Sequence, residues 1–187
     1  DFVDKEYMLP FVNYAGKSGP LLYCKQAEDI LYNFTAKTLL EKKIRKVEPD
    51  IIHLHNFAHQ ISPSILHTIR KCNIPVVMTM HDYKLVCASY RLFSKGRICE
   101  LCRGGRYYHC IAQKCVKNAY LKSSLNMMEM YLHHKMLHIY DLIDLYISPS
   151  QFLKAKLEEM GFRKNIAYIP NFVRIEEFTP SFEALEN

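Results

Sequence analysis

Pro49-Asp50-Ile51-Ile52-His53-Leu54-His55 and, further on, Val76-Val77-Met78-Thr79-Met80-His81-Asp82-Tyr83 decide the fold. Each holds a short apolar run that follows a proline (Pro49, Pro75) and leads to a histidine, His55 or His81. Continuous runs of this length, rich in β-branched residues, read as strands buried on both faces. Between them Ser62-Pro63 signals a helix start, with Ser as the cap and Pro at the first helical position. That helix is expected to run to about Cys72, and Asn73-Ile74-Pro75 then turns the chain. Strand, helix and strand in this order make a parallel unit.

The same alternation continues outward. Upstream, Ala27, Ile30, Leu31, Phe34, Leu39 and Ile44 recur at helical spacing, which predicts one helix from about Lys25 to Val47, halted before Pro49. Residues 1–23 carry Pro10, Gly16, Gly19 and Pro20 without a period and read as loop or extended chain. Downstream, the stretch from His81 to about Lys117 is long and irregular. A second long helix is predicted from Ala119 to Tyr140, its stripe formed by Leu121, Leu125, Met128, Leu132, Met136 and Ile139. Leu145-Tyr146-Ile147 is a third strand, and Ser148-Pro149-Ser150 opens a helix that ends at Met160, with Gly161 as a left-handed cap. Ile166 to Ile169 is a fourth strand, stopped by Pro170. The expected fold class is therefore α/β: a Rossmann-like parallel sheet with helices on both faces and right-handed connections.

Composition agrees. The 187 residues are 49% apolar and 24% charged, with only 6 Gly and 8 Pro, which excludes fibrous and disordered classes. No apolar run approaches the roughly 18 residues of a membrane-spanning helix. The net charge of +6 is local. From Lys95 to Lys122 there are seven basic residues against one acid, Glu100, so the rest of the chain is neutral. That segment also holds four of the seven cysteines.

In open α/β sheets ligands bind beyond the carboxyl ends of the strands. The clusters that follow the four strands are His55-Asn56-Phe57, His81-Asp82-Tyr83, Ser148-Pro149-Ser150 and Pro170-Asn171-Phe172. Ser148 and Ser150 precede a helix whose free N–H groups suit a phosphate, although such a turn also serves as a plain cap. A strand-end His is a catalyst in some settings and a structural hydrogen-bonder in others. Two of them, with an adjacent Asp, draw attention to this edge.

These motifs resemble, in order and spacing, those of family 4 glycosyltransferases. Pro49 to His55 is similar to the family's PDIIHxH strand, and Val76 to Tyr83 to its strand and HDY loop. Ile147 to Ser150 is similar to its SxS turn, and Ile169 to Val173 to its IPNGVD hinge, with Phe172 and Arg174 in place of the usual Gly and Asp. The resemblance spans about residues 25 to 180. It implies a GT-B enzyme, of which residues 1–170 form the N-terminal, acceptor-side Rossmann-like domain with a Cys-rich insertion over 81–118. Residues 171–187 would be the hinge toward a C-terminal domain. The family's opening strand and Gly-rich loop have no counterpart before residue 25. It further implies sugar transfer from a nucleotide-sugar to an acceptor hydroxyl, a sugar or lipid-linked acceptor, and a role in polysaccharide or glycolipid assembly. The place implied is the cytoplasm or the inner face of the membrane as a peripheral protein. His81 and Asp82 would be catalytic, His55, Asn56 and Tyr83 would line the acceptor side, and Ser148 and Ser150 would meet phosphate. Asp82 either orients the imidazole or caps a turn.

Cys99-x2-Cys102-x7-Cys110-x4-Cys115 is the sharpest local signal. Two residues between thiolates let both grip one ion, and four thiolates fill the shell of a structural zinc. His109 is a substitute ligand and Cys87 a spare one. Two disulfides, or four free thiols, fit the same spacing. The basic residues around them suit a solvated face, a surface for an anionic acceptor, or a nucleic-acid contact in which Tyr107, Tyr108 and Tyr120 stack on bases. The rival to an enzyme is thus a zinc-stabilised α/β binding module for nucleic acid or anionic partners, though the α/β pattern is unlike that of zinc-finger or single-strand binders.

Overall fold

A computed structural model describes residues 20–58, 61–172 and 174. Residues 1–19 of the expected N-terminal loop, and nearly all of the 171–187 hinge, lie outside the described residues.

Four strands form one parallel sheet: β1 (Ile52–His55), β2 (Val76–Thr79), β5 (Leu145–Ser148) and β6 (Ile166–Tyr168), in the order β1-β2-β5-β6. The register aligns His55 with Thr79, Thr79 with Ile147 and Ser148 with Tyr168, so all four carboxyl ends lie on one edge. Helix α3 (Ile65–Lys71) links β1 to β2, and α6 (Gln151–Glu159) links β5 to β6. The main core forms where these helices meet the sheet. Leu66, Ile69 and Leu157 are fully buried against Val76, Met80 and Tyr146.

Where the expectations miss, the reasons are local. The single helix over 25–47 is two: α1 (Pro20–Leu31), which also takes residues 20–23 from the expected loop, and α2 (Phe34–Val47). The break is Asn33, whose Oδ1 accepts the Ala36 N–H at 2.8 Å and whose own N–H donates to Ser64 Oγ at 3.0 Å. A buried Asn with these partners is an N-cap, which stops α1 and starts α2. Ser62 is not the cap of α3; it holds a left-handed φ of 75°, and the helix begins three residues later.

The region from His81 to Lys117 is not irregular. It holds a two-stranded hairpin, β3 (Phe93–Ser94) with β4 (Arg97–Ile98), a 3₁₀ turn at Arg103–Gly105, and the short helix α4 (His109–Gln113). Its own small core joins Ala88, Cys102, Tyr107 and Cys110 to Met130. An ion network docks it on α6: Glu100 and Glu159 each take both Arg103 and Lys156.

The helix over 119–140 is α5 (Tyr120–Tyr131), then a π turn (Leu132–Met136) and a 3₁₀ turn (Ile139–Leu142). Its expected apolar stripe is largely outside: Leu121, Met128 and Met136 are 65%, 52% and 73% exposed. The buried side carries Ser123, Glu129, Met130 and His133 instead. A π turn adds a residue per turn and rotates whatever follows. The helix then breaks at His138, which takes a left-handed φ of 47°, and Ile139 is fully buried although Met136, three residues earlier, faces out.

Candidate active site

The two strand-end histidines meet. His55 Nδ1 and His81 Nε2 lie 2.8 Å apart, across the β1–β2 edge. Such a pair shares one proton, because two N–H groups cannot face each other. Burial, followed by the neighbouring His53 and His81, holds the His55 pKa below its usual value, which favours the neutral imidazole. His53 is tied back to the sheet through Thr79 Oγ1 at 2.7 Å. Asn56, next after β1, takes a left-handed φ of 43°, which Asn tolerates better than most residues. Asp82 Oδ1 accepts the Lys84 N–H at 2.8 Å, so this carboxylate caps its own turn.

Beyond these groups opens a cavity of about 450 Å³. Asn56, His81 and Asp82 border it, over an apolar floor that includes Ile30, Phe57, Met78 and Met80. The facing wall comes from the insertion and the start of α5, with Val116, Lys117, Lys122, Leu125 and Asn126. His55 reaches this space only through His81. Tyr83 does not line it; the ring packs on the main core while the backbone N–H bonds Tyr90 O at 3.1 Å.

The sheet edge thus brings a carboxylate, an imidazole and a carboxamide, Asp82, His81 and Asn56, to one apolar hollow. The family model described as Glycosyltransferase Family 4 matches residues 5–177. The chain belongs to glycosyltransferase family 4. That assigns it to sugar transfer in general, with sugars as substrates. No curated protein and no solved structure matches the chain.

The other groups of this glycosyltransferase domain lie apart from the cavity. Ser148 is fully buried at the end of β5, and its Oγ donates to Ser150 O at 2.7 Å. Ser150 caps α6, its Oγ accepting the Leu153 N–H at 3.4 Å. Both hydroxyls thus shape the turn and the start of α6.

Cys99, Cys102, Cys110 and Cys115 do converge, with Cys87 and His109, around a space of about 10 Å³. That is room for about one atom-sized guest. All seven cysteines are free thiols in this structure. Burial, then the neighbouring thiols, pushes the Cys102 pKa up to about 12. Sharing a proton with Cys110, and then the Ser94 hydroxyl, lowers the Cys115 pKa. As they stand the thiols bond to each other and to hydroxyls, Cys87 with Ser89 at 3.4 Å and Cys115 with Ser94 at 3.9 Å. Among the described residues no three His, Cys, Asp or Glu side chains are set to hold a metal ion. The donor set suits zinc in chemistry; its present geometry is that of reduced thiols.

The residues that sequence reasoning missed stand behind the cavity. Lys84 and Tyr140 line it, and Lys84 Nζ is bonded to Glu129 Oε2 at 2.6 Å with both side chains buried. Glu129 and His133 sit four apart on the predicted helix, a spacing that put them on one face. Nothing in the pattern said that this polar face was the inner one.

Proposed function

We propose that this domain forms the acceptor side of a glycosyltransferase cleft, in which a sugar passes from a nucleotide-sugar to an acceptor hydroxyl. The observation that carries this is the His55–His81 pair at the mouth of the cavity, with Asn56 and Asp82 beside it. In the reaction the acceptor oxygen bonds to the anomeric carbon, the bond from that carbon to the phosphate oxygen breaks, and the nucleotide leaves with the electron pair. The acceptor proton needs a base. His81, held against neutral His55, supplies one at the cavity, while Asn56 and Asp82 orient the hydroxyl. The α6 amine end, shaped by Ser148 and Ser150, is the place for a phosphate oxygen.

The acceptor fits a sugar carried on an apolar, anionic group. The cavity floor is apolar, and Lys117 and Lys122 stand at its wall within the segment that holds the whole charge excess. That chemistry matches a lipid-linked acceptor in polysaccharide or glycolipid assembly, met from the cytoplasmic face of a membrane by a peripheral protein. Among the described residues no helix is long and apolar enough to cross a membrane. The thiol cluster we read as a zinc centre of Cys99, Cys102, Cys110 and Cys115 that orders the insertion when loaded, supported by the convergence of the four side chains.

His81→Ala in the full-length protein tests the reading. Sugar transfer should fall by about 10²- to 10⁴-fold with the fold intact, the usual span of a proton-transfer contribution. A near-normal rate would make His81 a structural residue and remove the proposed base.

A further inference from the structure

Three buried side-chain polar atoms have no hydrogen-bond partner among the described residues: Glu129 Oε1, His134 Nε2 and Tyr140 Oη. All three lie between residues 129 and 140, on or beside the π turn, and Tyr140 also lines the cavity. Unsatisfied buried groups and π turns both gather at functional sites. At the centre is the Lys84–Glu129 pair, 2.6 Å apart with side chains 5% and 0% exposed. Burying two charges seldom adds net stability over an apolar pair of similar size, so stability does not account for it. Its environment is tight. His133 Nε2 donates to Leu31 O at 2.8 Å, which leaves Nδ1 facing Glu129 Oε1 at 3.9 Å.

The position of Lys84 supplies the account. It is three residues after His81, and its N–H holds the Asp82 carboxylate. The loop it belongs to is closed by short backbone bonds, Val86 and Cys87 N–H to Tyr83 O and Tyr83 N–H to Tyr90 O. Two side-chain bonds tie this closed loop to α5: Asn126 Nδ2 donates to Ala88 O at 3.0 Å at its far end, and the ammonium of Lys84 meets Glu129 at 2.6 Å beside the His81–Asp82 turn. An apolar contact fixes distance loosely, whereas a short ion pair fixes one direction.

We infer that Glu129, acting through Lys84, is the positioning residue for the His81–Asp82 turn. This rests on the proposed role of His81. Displacing a catalytic group by about 1 Å costs on the order of 10²-fold in rate, so such an anchor has a function even without net stability.

The test uses the full-length protein and replaces both charges by apolar groups, Lys84→Met with Glu129→Leu, so that no lone charge is left buried. The double variant should fold with an unchanged or higher Tm. Its kcat should fall by about 10- to 100-fold, while donor and acceptor KM stay within about threefold. Amide hydrogen exchange over residues 81–90 should speed up by about tenfold. Lys84→Arg, which keeps the pair, should recover most of the rate. Unchanged exchange over 81–90, or a wild-type kcat in the folded double variant, overturns the inference. Wild-type protein that transfers no sugar would instead overturn the proposed function, and the exchange measurement would still decide the anchor.

Discussion

Acidification should destabilise this domain well before its carboxylates titrate, and His134 is the main reason. Its Nε2 is buried without a partner, and its ring lies 4.6 Å from that of Tyr140. Burial, then the nearby Lys84 charge, lowers its pKa from 6.5 to about 3. The unfolded chain therefore takes up the proton first as the pH falls. The stability that depends on a neutral His134 is complete above about pH 6.5 and is lost progressively toward pH 3. One pH unit is worth about 1.4 kcal/mol for a fully shifted group, so about 2 kcal/mol is gone at about pH 5. The residue as a whole is half-buried, and solvent screening trims the figure to roughly 1–2 kcal/mol. His133, His67 and His55 are lowered by burial in the same direction and add to the loss. Glu41, Glu100 and Glu159 are lowered as well, but they are open to solvent and act only below their ordinary range near 4.5. Urea unfolding at about pH 7.5, 6.5, 5.5 and 5 measures the slope, and His134→Phe, which keeps the ring and drops the titration, should flatten it. A flat stability between about pH 7.5 and 5, or an equal slope in His134→Phe, would refute the reasoning.

Two further outcomes are expected. Purified, reduced protein should contain about one zinc per chain, and a chelator should open residues 99–115 to protease while the parallel sheet stays protected; metal-free protein whose insertion resists protease equally with and without chelator rules the centre out. Ser150→Ala removes the cap of α6 and should cost about 1 kcal/mol by chemical denaturation, with no loss if the Leu153 amide finds water instead.

The sheet was legible because each strand is an apolar run set off by punctuation the chain cannot ignore. Pro49, Pro75 and Pro170 bound three of the runs, and Ser150 and Gly161 mark both ends of α6 as expected, Gly161 at a φ of 101°. The helices were less so. Asn33 reads as an ordinary polar residue within a periodic stretch, and only Ser64, distant in sequence, shows it to be a buried cap. The second long helix misled for a stronger reason. Periodicity reports which face is apolar, and the inner face is assumed to follow. Here the inner face holds Glu129 and His133, because Lys84 from another element neutralises the one and the Leu31 carbonyl receives the other. Such an exchange of apolar for paired polar groups leaves no trace in the spacing.

The same logic joins the two oddities of the sequence, the basic excess and the cysteines, to the site. The insertion is not an appendage on the sheet. Arg103 is held by Glu100 and Glu159, and Gly104 N–H bonds Met160 O at 2.9 Å, so one end is fixed to α6. Lys114 turns onto the Tyr120 ring at 4.3 Å. Those cations are engaged within the protein, and they account for part of the excess without any ligand. Lys117 and Lys122 differ in position: both stand at the cavity that His81 and Asp82 border. Cys115, two residues before Lys117, and Cys87, six residues after His81, meet in the thiol cluster. The thiol cluster therefore joins the stretch that follows the His81–Asp82 turn to the stretch that carries Lys117. A segment that composition alone marked as anomalous thus lines one wall of the cavity, and of its cations Lys117 and Lys122 are the ones that stand there.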